Sequence, residues 1–280
     1  MSPGQKPPSV PAEYRGRTIV ITGASSGLGA RLATEFAALG ADLALLSPEA
    51  EKQEAVAARC HAAGARALSV TGDVTVPEDC QRLLASTVAE YGRVDYLIAN
   101  AGISMWSRFE DVEDLNVFRR LMEVNYLGAL HCVHFALPEL RKTSGMIVVI
   151  SSIQSKIGVP LHTGYVASKH ALQGFCETLR MELEGSGVDI LTVMPHWLRG
   201  TELRDHAFGG DGRQLGRSSR GHSRESVPLD DAVHAIIRSI RRRRRTLIIP
   251  WKLKALLVLN LLWPRLAESI VKGAVRKQNH

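Results

Sequence analysis

The chain has 280 residues and a formal net charge of +7, and 45% of its residues are apolar. Such a chain can bury a full core without disulfides or a metal. Its four cysteines are widely scattered and lack the spacing of a metal site or of a disulfide framework, which argues against a small secreted protein and favours the reducing cytoplasm.

The amino-terminal segment predicts no organised structure. Residues 1–15 are rich in proline and polar groups and lack the apolar stretch of a signal peptide, so we expect a disordered leader. The sequence has no apolar run of about 18 residues or more, so no membrane-spanning helix is expected.

Within the predicted domain, residues 16–250, the stretch from Thr18 to about Pro195 alternates short apolar runs with longer amphipathic ones. The apolar runs predict seven strands, at residues 18–22, 41–47, 65–70, 94–100, 146–152, 189–195 and 246–250. The amphipathic runs predict helices, among them one that Ser47-Pro48 starts and others at 77–92, 114–142 and 163–184. Apolar strands that are each followed by a helix predict a parallel sheet covered on both faces. With right-handed crossovers this is a single α/β Rossmann domain, with a doubly wound seven-stranded sheet and a nucleotide crevice.

A glycine-rich motif, TGASSGLG, lies between the first predicted strand and the first helix. Its glycines allow a tight turn and a close approach of the backbone to a pyrophosphate, and the helix that begins near Gly27 adds its partial positive charge. The spacing is GxxxGxG rather than the commoner GxGxxG, and a plain turn is the alternative interpretation. The residues expected at the cofactor are Gly23, Ser25, Ser26, Gly27, Leu28 and Gly29.

The end of the second strand is where a dinucleotide-binding fold selects its cofactor. An acidic side chain there would bind the adenosine ribose and repel a 2′-phosphate. The strand instead ends in Ser47-Pro48, with neither an acid nor the arginine that grips a 2′-phosphate. Because Ser47 can donate a hydrogen bond to a phosphate, the sequence favours NADP over NAD.

Tyr165 and Lys169 are four residues apart in the segment YVASK, which has a helical pattern. This spacing puts both side chains on one face of a helix. A free tyrosine has a pKa of about 10, and a nearby ammonium group favours the phenolate. We therefore expect Lys169 to lower the pKa of Tyr165 and the two residues to form a proton-transfer pair.

Two further polar residues occupy informative positions. Ser152 ends the fifth strand, at the edge where open α/β sheets bind ligands, and its hydroxyl can hold a substrate oxygen beside Tyr165. Asn125 lies inside a predicted helix, where asparagine is unfavourable, which indicates another role. Taken singly, the four residues have other interpretations: an interface tyrosine, a solvated lysine, a capping serine and a buried structural amide. Their joint occurrence in this fold and order favours catalysis.

These motifs resemble those of the short-chain dehydrogenase/reductase family over roughly residues 15–205. The resemblance is carried by the TGASSGLG turn, by Asp73-Val74 at the adenine contact, by Asn100-Ala101-Gly102 supporting the central sheet, and by Asn125, Ser152, Tyr165 and Lys169 as the catalytic tetrad. It implies an NAD(P)-dependent oxidoreductase that interconverts a ketone and a secondary alcohol. It also implies a cofactor contact at Pro195.

The resemblance further implies a role for each member of the tetrad. Tyr165 would be the general acid in reduction and the base in oxidation. Lys169 would lower its pKa and bind the nicotinamide ribose. Ser152 would polarise the carbonyl group, and Asn125 would hold a water molecule that links Lys169 to solvent.

The sequence departs from the family after the sixth strand. The family has Pro-Gly followed by a threonine, but here His196 replaces the glycine and Thr201 comes one place late. We expect His196 to be a lid residue or a tolerated change. Residues 196–228 take the place of the family's substrate lid, and their Gly-, Ser-, Arg- and His-rich composition predicts mobility.

The C-terminal region is basic from 241 to 277 and opens with a run of five arginines, Arg241–Arg245. Residues 251–280 predict an apolar and basic helical extension, whose apolar part has Trp251 and Trp263 at its ends and is too short to span a bilayer. Such a segment suits a helix that lies on an anionic membrane, and packing on its own domain or in an oligomer interface is the alternative. Nucleic-acid binding is not expected, because no aromatic platform accompanies the arginines.

Residues 108–130 and the apolar tail most resemble family members that act on steroids and on ketosphinganine-type lipids. That resemblance favours a bulky apolar ketone or secondary alcohol as substrate, and the family implies a homodimer or homotetramer. A rival hypothesis is a catalytically silent, cofactor-binding peripheral membrane or scaffold protein, although an intact tetrad argues against it.

Overall fold

A computed structural model describes residues 12–216 and 226–276. Its centre is a parallel sheet of seven strands in the order β3-β2-β1-β4-β5-β6-β7. The strands are β1 (Thr18–Thr22), β2 (Asp42–Ser47), β3 (Ala67–Thr71), β4 (Tyr96–Ala99), β5 (Met146–Ile150), β6 (Asp189–Pro195) and β7 (Thr246–Ile249). The predicted doubly wound Rossmann sheet is confirmed.

Nine α-helices lie in the part of the chain that the structure describes. They are α1 (Gly27–Ala38), α2 (Ala50–Ala62), α3 (Pro77–Tyr91), α4 (Asn116–Met122), α5 (Gly128–Thr143), α6 (Thr163–Glu182), α7 (Leu229–Arg241), α8 (Leu253–Leu262) and α9 (Pro264–Arg276). A π-helical turn, Glu123–Leu127, joins α4 to α5. The long helix predicted over 114–142 is therefore two helices with a wider turn between them.

The strands are buried on both faces because their successive side chains point in opposite directions. In β1, Ile19 and Ile21 enter the core that also contains the apolar faces of α1, α2 and α7. Val20, between them, enters the second core, which contains those of α3, α5 and α6. All three side chains are fully buried. This explains why the strands are apolar throughout rather than alternating.

The strand order changes direction at β1, which pairs with β2 on one side and with β4 on the other. Connections from β1 and β4 therefore leave toward opposite faces of the sheet. This opens a crevice outside the carboxyl ends of the two strands. The predicted functional residues follow strand ends at this edge.

Two local expectations were wrong. The predicted leader ends too late, because Ala12–Tyr14 form a short 3₁₀ turn and the Tyr14 ring is buried 5.0 Å from that of Phe36. Residues 1–11 of the leader lie outside the described residues. Ser47-Pro48 does not start the second helix, since α2 begins at Ala50 and the Ser47 hydroxyl accepts a bond from the Glu49 amide instead.

The basic C-terminal region divides between two edges of the sheet. The Arg243 side chain pairs with Asp189 at the start of β6 and donates to the carbonyl of Gly145, just before β5. Strand β7 then carries the chain to the carboxyl edge, where α8 and α9 follow. Strand β7 therefore separates the arginine run from the tail, and only the tail lies at the carboxyl edge. Among the described residues, no helix is both long and apolar enough to cross a bilayer.

Candidate active site

A cavity of about 550 Å³ occupies the crevice at the carboxyl edge. Nearly all the residues predicted to bind the cofactor or to act in catalysis line it. They are Gly23, Ser25, Ser26, Gly27, Leu28, Ser47, Asp73, Val74, Asn100, Ala101, Gly102, Ser152, Tyr165, Lys169 and Pro195. Gly29 and Asn125 do not line the cavity. They contact residues that do, namely Gly23 and Ile103.

The glycine turn has the conformation that its sequence requires. Gly23 and Gly27 have φ values of +62° and +52°, in the left-handed region that favours glycine. At Gly29 a side chain has no room, since a Cβ would lie 2.2 Å from the carbonyl oxygen of Gly23. The turn therefore packs directly on the first turn of α1, whose N-terminus opens toward the cavity. This arrangement suits a pyrophosphate.

Asn100 joins the glycine turn to the end of β4. Its side-chain amide donates to the carbonyls of Thr22 and Gly23, both at 3.0 Å. The Thr22 hydroxyl in turn accepts from the amides of Asn100 and Ala101. These bonds fix the distance between the two strands that flank the crevice, which is the supporting role expected of the Asn-Ala-Gly segment.

Asp73 and Val74 form the wall next to β3. The Asp73 carboxylate accepts from the Thr75 amide at 2.9 Å, and its own amide donates to Asp79 at 2.8 Å. Val74 is buried, and its carbonyl oxygen lies 3.0 Å from Nδ1 of His131 on α5. Hydrogen bonds to α3 and α5 thus fix residues 73–75, and Val74 gives this part of the cavity an apolar surface.

Ser152, Tyr165 and Lys169 converge at the other end of the cavity. Ser152 precedes a 3₁₀ turn and its hydroxyl accepts from the Gln154 amide at 3.2 Å. Tyr165 and Lys169 lie on the first turns of α6, with the Lys169 Nζ 5.6 Å from the centre of the Tyr165 ring. That ammonium group donates to the carbonyl of Ile150 at 3.1 Å. All three side chains are buried.

Burial controls the ionisation of the pair. It raises the pKa of Tyr165 to about 12, although a hydrogen bond with Ser152 acts in the lowering direction. It lowers the pKa of Lys169 to about 8. The expected lowering of the Tyr165 pKa by Lys169 is therefore wrong for the protein alone. Each charged form loses its hydration in the enclosed site, and this loss is the largest influence on both pKa values.

Asn125 lies in the π-helical turn and is buried. Its side chain accepts from the Ile103 amide at 2.8 Å and donates to the Ile103 carbonyl at 3.0 Å and to the Ser168 hydroxyl at 2.9 Å. It therefore connects the loop after β4 to α6. A Cβ at Gly102 would lie 3.2 Å from Oδ1 of Asn125 and 3.6 Å from Nζ of Lys169. The glycine keeps this narrow space open.

Glu49 is a cavity residue that the sequence analysis missed. One of its carboxylate oxygens accepts from the Ser25 hydroxyl at 2.7 Å and the other from the Lys52 ammonium group at 2.6 Å. These bonds hold the pKa of Glu49 below its usual range. The Ser47 hydroxyl is buried and donates to Ser25 at 2.9 Å. An acidic group therefore lies beside the glycine turn, two residues beyond the end of β2.

An aromatic cluster that the sequence analysis did not identify lies beside the cavity, which its members Trp197 and Arg204 line. The Arg204 guanidinium group lies 4.7 Å from the ring of Trp197 and 5.9 Å from that of Trp106. The His162 ring lies 4.8 Å from Trp106 and 6.3 Å from Tyr165. This cluster connects the lid to Tyr165 at the catalytic end of the cavity. Its members come from three separate segments, so no local motif predicts it.

The segment after β6 keeps its contact with the cavity despite its altered sequence. The amide of His196 donates to the carbonyl of Ile249 on β7 at 2.7 Å, and the residue lines the cavity. Thr201 also lines it and lies next to Gly27, where its Cβ would be 3.5 Å from a Cβ added to that glycine. The structure describes 196–216 and 226–228 of the predicted lid, of which residues 196–198, 201–204, 206 and 214 line the cavity. Residues 217–225 of the predicted lid lie outside the described residues.

Comparison with known proteins gives matches along most of the chain. Residues 17–209 match the short chain dehydrogenase family. The chain is 34% identical over 258 residues to 11-beta-hydroxysteroid dehydrogenase 1A of Arabidopsis thaliana, covering 90% of this chain and 74% of that protein. It is 37% identical over 259 residues to 11-beta-hydroxysteroid dehydrogenase A of Arachis hypogaea, with the same two coverages. A short chain dehydrogenase/reductase from Burkholderia phymatum, solved in complex with NAD, has a similar fold, with a TM-score of 0.79 at 24% identity over 91% of this chain and 96% of that one.

Proposed function

This chain belongs to the short-chain dehydrogenase family and is an NAD(P)-dependent oxidoreductase, and on that premise we propose that it interconverts a bulky apolar ketone and the corresponding secondary alcohol. The observation that carries the proposal is the convergence of Ser152, Tyr165 and Lys169 at one end of a cavity whose other end is a glycine turn. When bound, the nicotinamide group supplies or accepts the hydride. The glycine turn and the N-terminus of α1 fit its pyrophosphate.

Side chains of this protein transfer the proton. In reduction the Tyr165 hydroxyl donates its proton to the carbonyl oxygen, and in oxidation the phenolate takes it back. The Ser152 hydroxyl holds the same oxygen beside Tyr165. Lys169 keeps a positive charge next to the developing phenolate, and Asn125 fixes the loop that borders Lys169. Burial of all these groups excludes water and strengthens the electrostatic interactions between them.

The substrate class is supported by the cavity wall and by the relatives. Apolar side chains of Ile103, Val124, Ile153 and Leu198 line the cavity, together with Trp197. Such a wall suits a rigid apolar ring system with a single carbonyl group. Two similar proteins are called hydroxysteroid dehydrogenases, and we propose a ring ketone of steroid size as the substrate.

The test is a panel of steroid, lipid and small aromatic ketones, assayed by cofactor absorbance with NADH and NADPH in parallel. Turnover of at least one bulky apolar ketone, in preference to small ones, is the expected result. Tight cofactor binding without turnover of any member would instead support the rival hypothesis of a catalytically silent binding protein.

We propose NAD as the cofactor, which reverses the preference that the strand end favoured. The support is the ionised Glu49 carboxylate, which can accept hydrogen bonds from ribose hydroxyls and repels a 2′-phosphate. Lys52, the neighbouring cation, is already paired with Glu49 and lies 3.9 Å from Glu202. The local charge is therefore negative where a 2′-phosphate would need a positive group.

Replacement of Glu49 by Ser should raise the use of NADPH relative to NADH. The change removes the repulsive carboxylate and releases Lys52, and a single charge contact of this kind changes the ratio of kcat/KM values by at least about tenfold. Glu51→Ser, two residues further along, is the matched control, because Glu51 is exposed in the first turn of α2 and does not line the cavity; it should leave the ratio unchanged. A ratio that stays unchanged or falls in Glu49→Ser would contradict the proposed selection.

We further propose that the protein acts in the cytoplasm as a homodimer or homotetramer and contacts a membrane through its C-terminal helices. The homo-oligomer and the location rest on the family resemblance and the composition. The membrane contact is supported by the exposed apolar side chains of α8 and α9.

A further inference from the structure

The C-terminal helices expose seven large apolar side chains within twenty residues, and we call these side chains the tail surface. They are Trp251, Val258, Leu261, Leu262, Trp263, Leu266 and Ile270. Leu261 is 81% exposed and Trp251 is 78% exposed. No residue of α8 is buried. Large apolar side chains clustered in this way mark an interaction site rather than an ordinary surface.

The helices that carry the tail surface are anchored to the domain. Ala267 and Val271, one turn apart on α9, are buried against Ile157. Leu256 and Leu257 of α8 pack around the same cluster. Ile157 lies in the segment that follows Ser152, so the helix pair is seated at the carboxyl edge of the sheet, on the same side as the cavity. The exposed side chains are therefore the outward face of a fixed pair of helices.

Basic side chains accompany the apolar ones. Residues 251–276 contain five lysines and arginines but a single acidic residue, Glu268, whose carboxylate lies 3.7 Å from the ammonium group of Lys272. Lys254 in the first turn of α8 and Arg265 in the first turn of α9 are exposed, near Trp251 and Trp263 respectively. The tail surface thus combines exposed apolar side chains with positively charged ones.

We propose that the tail surface binds the face of an anionic lipid bilayer, with α8 and α9 lying along it. This specifies the membrane contact of the proposed function and does not depend on the reaction. A ten-residue helix is about 15 Å long, half the thickness of the hydrocarbon core, so α8 lies on the bilayer and does not cross it. Tryptophans at both of its ends are placed as in interfacial segments.

Charge distinguishes the bilayer from a second copy of the chain. A two-fold interface brings the same patch of both copies together, so Lys254 and Arg265 of each copy would face a surface of the same sign. Anionic head groups offer the opposite sign to every one of them, while the apolar side chains enter the boundary with the acyl chains. The observed mixture therefore fits lipid.

The experiment is cosedimentation of the full chain with phosphatidylcholine vesicles, with and without phosphatidylglycerol. We expect binding to the mixed vesicles and at least about tenfold weaker binding to the neutral ones. Lys254→Glu combined with Arg265→Glu should weaken binding by at least about thirtyfold. The matched control is Arg242→Glu with Arg244→Glu, an equal change of charge in the arginine run, which should retain binding.

Three results would overturn the proposal. They are no binding to mixed vesicles, an equal loss in the control pair, or a stable dimer without vesicle binding that Leu261→Ser dissociates in sedimentation equilibrium. Circular dichroism and ketone reduction, measured on each variant, check folding. They also separate the outcome from that of the proposed reaction, because a tail variant that no longer binds lipid should still reduce a water-soluble ketone.

Discussion

Replacement of Tyr165 by Phe is expected to lower kcat for ketone reduction by roughly 10²–10⁴-fold. The substitution removes the hydroxyl that lies beside Ser152 at the closed end of the cavity and leaves the ring in its packing with Met105 and Leu121. The dissociation constant of the cofactor should therefore stay nearly unchanged. Steady-state assays at saturating cofactor, with a fluorescence titration of cofactor binding, measure both quantities.

Tyr14→Phe is the matched control, because this buried tyrosine also loses a hydroxyl but packs on Phe36 and Tyr96, outside the cavity. It should retain full activity. Turnover that survives in Tyr165→Phe would assign the proton donor to another group. A loss of cofactor binding in parallel with activity would show instead that the substitution disturbs the cavity.

The pH dependence of kcat/KM should reveal the ionisation of Lys169. A lysine is charged below its pKa, and burial lowers that of Lys169 to about 8, so its positive charge is lost as the pH rises through this value. Tyr165, with a pKa of about 12, stays protonated throughout this range. Ketone reduction should therefore be constant at neutral pH and fall about tenfold per unit above pH 8.

Lys169→Met should lower kcat/KM by roughly 10²-fold at neutral pH and abolish the break near pH 8. Lys142→Met, which removes an exposed lysine paired with Glu139, should retain the profile of the unaltered protein. A break near pH 8 that persists in Lys169→Met would mean that a different group titrates there.

The sequence predicted those parts of the site that depend on local pattern. The glycine turn, Ser152 and the pair on α6 each follow a strand or share a helix turn, so periodicity and spacing were enough to bring them to one edge. Glu49 was missed because its role arises from a hydrogen bond to Ser25, 24 residues earlier in the chain. The cluster of Trp106, Trp197 and Arg204 was missed for the same reason.

Two other features of the structure could not be predicted from local sequence pattern, because they depend on the complete fold. The pKa values of Tyr165 and Lys169 depend on how completely the folded chain removes water, which their spacing does not reveal. The separation of Arg243 from the tail depends on the direction of β7 in the sheet. Because β7 runs from the amino edge to the carboxyl edge of the sheet, the arginine run and the tail lie at opposite edges although they are close in sequence.

The π-helical turn at Glu123–Leu127 contains one more residue than a turn of α-helix, and this extra residue sets how α4 is rotated relative to α5. Removal of one residue from it would allow a regular α-helix to form, and the helix on its amino side would turn by about 100° and shift by about 1.5 Å. Val117 and Leu121, which now pack in one cluster with Tyr165, would then face elsewhere, although every backbone hydrogen bond could be remade. Deletion of a single residue from this turn should therefore disturb the catalytic end of the cavity far more than most substitutions on α4.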